Sequence, residues 1–172
     1  MEMTGSRVIA ADRDTVWAAL LSPDVLKECV PGCQSLEGSA DDGFTATVVQ
    51  KVGPVKATFK GVVTLQDRLP PDSLTLSGEG KGGAAGFAKG AAKVTLSEDE
   101  GGTLLEYNVD AKVGGKLAQL GSRIIDGFAR KMADQFFEKF QQAIEGPADA
   151  EDNADTSEDA PKKGWFKKIV SG

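Results

Sequence analysis

Along this chain the spacing of apolar positions changes three times. Over residues 1–10 the alternation is weak, with Met3, Val8 and Ile9 as its apolar members, which predicts a first strand. Val16, Trp17, Leu20 and Leu21 then recur at i, i+1, i+4 and i+5, one face of a helix. Asp12 or Asp14 stands ready as N-cap or first-turn acid. Ser22-Pro23-Asp24 breaks this helix and starts a second, because Ser suits the N-cap and Pro the first helical position. Val25, Leu26 and Cys29 form its inner side, and Val30-Pro31-Gly32 ends it.

From residue 34 to 113 the spacing becomes two. Phe44, Ala46 and Val48 alternate with Thr45, Thr47 and Val49, and Gly53-Pro54 marks a turn. Ala57, Phe59, Gly61, Val63 and Leu65 form the next apolar series, closed by Leu69-Pro70-Pro71-Asp72. Residues 73–80 and 88–96 are further strands, with a turn at 98–102. Leu105, Tyr107, Val109, Ala111 and Val113 face one way on the last strand, while Glu106, Asp110 and Lys112 face water. Gly114-Gly115 ends the sheet. One long helix is expected over 116–144, with Leu117, Leu120, Ile124, Phe128, Met132, Phe136 and Phe140 as its stripe and Gly146-Pro147 as its stop.

These elements predict an α+β fold of the helix-grip kind. A curved antiparallel sheet wraps around one long C-terminal helix, with two short helices after the first strand. That geometry leaves room for a cavity between helix and sheet. Phe59, Phe87, Tyr107, Leu117, Leu120, Ile124 and Phe128 are expected to line it. Gly114, Gly115, Gly121 and Gly127 thin the packing of the helix start, which favours a hollow over a solid core. Tyr107 is a lone polar tip suited to orienting an elongated apolar ligand.

Composition removes whole function classes. The 172 residues hold no histidine, so the commonest general base, the commonest zinc ligand and every Ser-His or Cys-His pair are excluded. No catalytic residue and no metal ligand set emerges: Asp126 and Arg123 flank the helix stripe and read as solvated. The net charge of −6 argues against nucleic acid as a partner. No signal peptide is read at the N-terminus and no run approaches the ~20 apolar residues of a spanning helix, so a cytoplasmic chain is expected. Cys29 and Cys33 stand at C-x3-C spacing. A redox role is conceivable, but a small core residue and a loop residue explain the pair more simply. The glycine-rich run 78–90 lacks the spacing of a phosphate loop, so sheet curvature is its leading reading and a pocket or mobile mouth the second.

The C-terminal part divides in two. Residues 147–160 carry six acids and no Lys, Arg or large apolar residue, the composition of a disordered linker with an r.m.s. span of roughly 20 Å. Residues 161–172 reverse that character. On a helix, Trp165, Phe166, Ile169 and Val170 would share one face, with Lys162, Lys163, Lys167 and Lys168 mostly off it. This division suits weak, reversible contact with an anionic membrane surface on the inner face of the cell membrane. A plain charged terminus and a peptide that docks in a partner's groove are the alternatives. The expected organisation is thus a ligand-binding domain over 1–146, a linker over 147–160 and a membrane-contact tail over 161–172.

Several stretches resemble the G-subunit family of carbon monoxide dehydrogenase, within the START-like, polyketide-cyclase-like superfamily: the region around Trp17, the run from Ser22 to Lys27, Cys29-Val-Pro-Gly-Cys33, and Gly78-Glu-Gly-Lys-Gly-Gly-Ala-Ala-Gly-Phe87. The resemblance implies a non-enzymatic accessory protein that brings a molybdenum–copper carbon monoxide dehydrogenase, or a related molybdenum hydroxylase, to the membrane. It further implies a quinone, menaquinone or ubiquinone, as cavity ligand, with no covalent cofactor. An assembly chaperone for the hydroxylase, or a small helix-grip cyclase or hydrolase, are the alternatives.

Overall fold

The computed structural model describes residues 1–146; the expected linker and tail lie outside the described residues. The chain runs β1 (Glu2–Ile9), α1 (Arg13–Leu20), α2 (Pro23–Cys29), β2 (Cys33–Ser39), β3 (Gly43–Val52), β4 (Val55–Leu69) and β5 (Ser73–Lys81). A 3-10 turn (Gly83–Ala85) precedes β6 (Phe87–Asp99), β7 (Gly102–Gly114), α3 (Lys116–Gln119) and α4 (Ser122–Glu145). The seven strands form one antiparallel sheet in the order β1-β7-β6-β5-β4-β3-β2. β2 to β7 make a meander, and α1 and α2 carry the chain from one edge of the sheet to the other.

Local chemistry explains the starts of the short helices. Asp12 accepts the Thr15 N–H at 2.8 Å and Ser22 accepts that of Val25 at 3.3 Å, with Pro23 opening α2. Each side chain satisfies one of the amides that a helix start leaves without a partner. The sheet curls because its middle strands are small where they cross. Gly61 faces Gly80, and Gly78 faces Gly90. A Cβ on Gly90 would lie 2.6 Å from the Asp110 carbonyl, so only glycine permits this close approach. The glycine-rich run therefore serves curvature, and no helix follows it to hold a phosphate.

Three expectations on the elements are corrected. The helical stretch after β7 is two helices, with a break at Gly121, whose φ of +93° lies where residues with a Cβ are strained. Residue 87 opens β6 one position earlier than the pattern implied. Cys33 begins β2 rather than sitting in a loop.

The core is not spread evenly. Ile9, Val16, Leu20, Cys29, Phe44, Leu74, Leu105 and Phe140 are fully buried where α1, α2 and the second half of α4 meet the sheet. Thr103, the buried polar residue here, donates its hydroxyl to the Ala11 carbonyl at 2.7 Å. Because alternate strands reverse direction, the turns sort into two ends. Residues 10–14, 40–43, 67–72 and 98–102 share one end with the C-terminus of α4: Arg13 pairs with Asp72 and Glu98, Arg68 pairs with Asp41, and the Ala10 amide meets Glu145. At the other end, Gly53 lies against Ile124 and Leu120, and Gly86 lies against Gly115.

Candidate ligand cavity

Between the sheet and α4, toward the second of these ends, is a half-open cavity of about 830 Å³. The inward positions of β3 and β4 supply Val48, Gln50, Val52 and Phe59. β5 and β6 add Leu76, Gly80, Ala88, Ala92 and Val94, where small residues leave the space that larger ones would fill. β7 contributes Tyr107, Val109, Ala111 and Val113. The roof comes from Leu117 of α3 and from Ile125, Phe128, Ala129, Met132, Ala133, Phe136 and Phe137 of α4. Polar side chains are few: Gln50, Tyr107, Lys112, Ser122 and Asp126. The exposed members of the lining, Lys112, Ala118, Gly121 and Ser122, place the opening beside the α3–α4 junction.

An aromatic cluster forms the floor. Tyr107 stacks on Phe137 with centroids 4.6 Å apart, and Phe137 meets Phe136 edge-on at 4.9 Å. Phe136 and Phe137 in turn contact Phe140 of the filled core. Offset and edge-to-face ring contacts of this kind are favourable beyond their buried area.

Of the side chains expected at the cavity, the structure brings Phe59, Tyr107, Leu117 and Phe128 together in the lining. Phe87, Leu120 and Ile124 lie off it. Phe87 stands on the outer side of the sheet edge, over Gly114, and is 40% exposed. Leu120 and Ile124 sit over the β3–β4 turn, with Ile124 41% exposed. For Ile124 the reason is helical phase. Positions in uniform steps of four drift about 40° per step at 3.6 residues per turn. From Phe140 back to Ile124 the drift is about 160°, which turns Ile124 away and Ile125 inward. Asp126, expected to be solvated, comes inward for the same reason and lines the cavity.

Tyr107 also departs from its expected role. Its ring lines the cavity, but its hydroxyl lies over β1, where a Cβ on Gly5 would collide with Oη. Gly5 thus makes the seat for the phenol. Burial first, and Asp134 second, push the Tyr107 pKa up from its ordinary value, with Arg7 and Arg130 opposing. Gln50 was missed although the period-two series Phe44, Ala46, Val48 leads straight to it. Its Nε2 donates to the Pro31 carbonyl and ties the loop after α2 to the cavity wall.

Against known families, residues 5–145 match the one described as the G subunit of carbon monoxide dehydrogenase (CoxG). The chain belongs to this family. Membership suggests an accessory role for a carbon monoxide dehydrogenase. Among solved structures, a conserved protein from Geobacillus kaustophilus is 31% identical with a TM-score of 0.77, over 84% of this chain and 95% of that one. Protein MLL2253 from Mesorhizobium loti is 18% identical (TM-score 0.60, 83% and 95% covered). Protein Ms6760 from Mycobacterium smegmatis is 15% identical (TM-score 0.61, 85% and 91% covered). These two likenesses show the fold alone. No curated protein matches the chain.

Within this CoxG-family chain the two cysteines are unpaired. Burial pushes the Cys29 thiol up to about 12, with Glu28 adding to the effect and Lys139 opposing it. Burial also raises Cys33, whose Sγ donates to the Ser35 carbonyl at 3.3 Å. Raised thiols are poor nucleophiles and poor metal ligands at neutral pH. Among the described residues, no group of three His, Cys, Asp or Glu is placed to hold a metal ion, and no helix is long and apolar enough to cross a membrane.

Proposed function

We propose that this CoxG-family chain is a non-catalytic accessory protein that carries an elongated apolar molecule, a quinone, between a membrane and a carbon monoxide dehydrogenase or related molybdenum hydroxylase. The observation that carries this reading is the cavity. Its 830 Å³ lies in the range of sites that enclose most of a ligand's surface, and its lining is hydrocarbon but for five polar side chains. Transfer of apolar surface from water into such a lining is favourable by roughly 25 cal/mol per Å². A quinone would also match the polar few: Gln50 on the wall, and Lys112, Ser122 and Asp126 near the opening.

In this reading the chain works on the inner face of the cell membrane. Residues 162–170, with Trp165 and Phe166 between Lys pairs, hold it there while the domain meets the enzyme. The test is chemical. The full chain is purified from gently solubilised membranes and extracted with organic solvent, and the extract is analysed by mass spectrometry. Quinone at a substantial fraction of one per chain is expected. An empty chain that also refuses added menaquinone and ubiquinone would end the carrier reading.

A further inference from the structure

The two ends of the molecule differ in charge as well as in filling. Segments 10–14, 40–43, 67–72 and 98–102, at the filled end, hold nine acids and two arginines. Segments 51–56, 81–87 and 114–124, at the hollow end, hold Lys51, Lys56, Lys81, Lys116 and Arg123 and no acid. All five are exposed, and among the described residues the ion pairs belong to Arg13 and Arg68 of the other end. Of the nearest acids, Glu2, Glu79 and Asp110 alternate with cavity-lining neighbours and so face the outer side of the sheet, behind the turns, while Asp126 turns inward and lines the cavity near its opening. Lys27 and Glu28 of α2 offset one another.

At the centre of this basic end, Leu120 and Ile124 lie over Gly53, between Lys51 and Lys56 on one side and Lys116 and Arg123 on the other. The cavity opens directly beside them at Gly121 and Ser122. An apolar patch ringed by cations at the mouth of an apolar cavity matches an anionic bilayer: the hydrocarbon side chains reach the acyl boundary and the cations meet headgroups. The tail alone does not bring the mouth to a membrane. The 24 residues of α4 separate the mouth from the point where the chain leaves the domain by about 36 Å. Residues 147–160, fully extended, span at most about 50 Å, enough to let tail and mouth rest on one bilayer.

We propose that the end formed by the β3–β4 turn and the α3–α4 junction is a docking face for an anionic lipid surface. Leu120 and Ile124 enter the interface and Lys51, Lys56, Lys116 and Arg123 meet the headgroups. The proposal rests on the reading that the cavity exchanges its contents with a membrane. Two contacts joined by a linker raise each other's effective concentration, so tail and face bind better together than either does alone.

The test uses the full chain with phosphatidylcholine vesicles, with and without phosphatidylglycerol. Ile124→Trp in a Trp165→Phe background leaves the buried Trp17 as the only other indole. On anionic vesicles the new emission is expected to shift to shorter wavelength and to be quenched by lipids brominated on the acyl chain. Lys51→Glu with Lys56→Glu is expected to weaken vesicle binding about ten-fold or more at unchanged melting temperature, since one lysine at such a surface carries a factor of about five. Sedimentation that survives Trp165→Asp with Phe166→Asp but not the lysine changes would keep the face and remove the tail. Emission that stays water-like while the chain sediments would show that the tail alone holds it, and overturns the proposal. A shift produced by an acidic protein partner but not by vesicles overturns it too. No sedimentation of any version removes the tail contact and the face together.

Discussion

The two halves of this domain are built from the same strands and the same helix, yet one is solid and the other hollow. Toward the acidic end, Phe44, Leu74, Leu105 and Phe140 meet α1 and α2 with no exposure. Toward the basic end the sheet presents Gly80, Ala88 and Ala92 where a core would present Leu or Phe, and the short α3 adds only Leu117 and Ala118 to the lining. The aromatic floor of Tyr107, Phe136 and Phe137 divides the two. Stability therefore resides in one half and capacity in the other, so substitutions in the two halves should read out differently.

The largest expected effect is in the solid half. Phe140→Ala should cost about 3–5 kcal/mol in urea unfolding, because its site cannot collapse. Phe128→Ala, at the hollow, should cost roughly half that or less, since part of its surface already borders empty space. Equal costs would mean that the cavity is closed in solution.

At the divide, Gly5→Ala should cost about 1–3 kcal/mol, because its Cβ collides with the Tyr107 phenol and the ring must move. Restoration by adding Tyr107→Ala would confirm the cause. At the mouth, Gly121→Ala should cost about 1 kcal/mol from backbone strain alone, since nothing lies within 4 Å of the new methyl. Its effect on ligand uptake should exceed its effect on melting.

Ala133→Leu, which fills the hollow, should leave stability unchanged or raise it by about 0.5–2 kcal/mol while lowering bound ligand. The smallest effect is alkaline. The folded Tyr107 has a pKa above the unfolded value, so its contribution is intact below the ordinary tyrosine range and is lost as pH rises through the folded value. Urea midpoints between about pH 9 and 11 should therefore fall more steeply for the natural chain than for Tyr107→Phe. In the same range, Cys29 should resist Ellman's reagent until the chain unfolds.

Much of this was legible in the linear pattern, for reasons that are local. Asp12 and Ser22 cap helices because an oxygen three residues before an open amide needs no distant partner. The alternation on β4 and β7 shows because each strand has one covered and one open face. The stripe on α4 was visible but its phase was not. Steps of four fit Phe128 to Phe140 yet carry Ile124 out of line, and the break at Gly121 resets the face. Gln50 escaped notice because a polar residue in an apolar series reads as an interruption until its hydrogen bond to Pro31 is seen.

The order and kind of the elements, the caps, the curvature glycines and the absence of histidine chemistry all follow from the linear chain. Each depends on residues adjacent in the chain or on composition. Where the cavity lies, which aromatic residues close it, and the gathering of scattered acids and lysines at opposite ends were settled only by the folded arrangement. The physical reason is topological: an antiparallel meander returns every second turn to the same end, so residues far apart in sequence share one surface and one electric field.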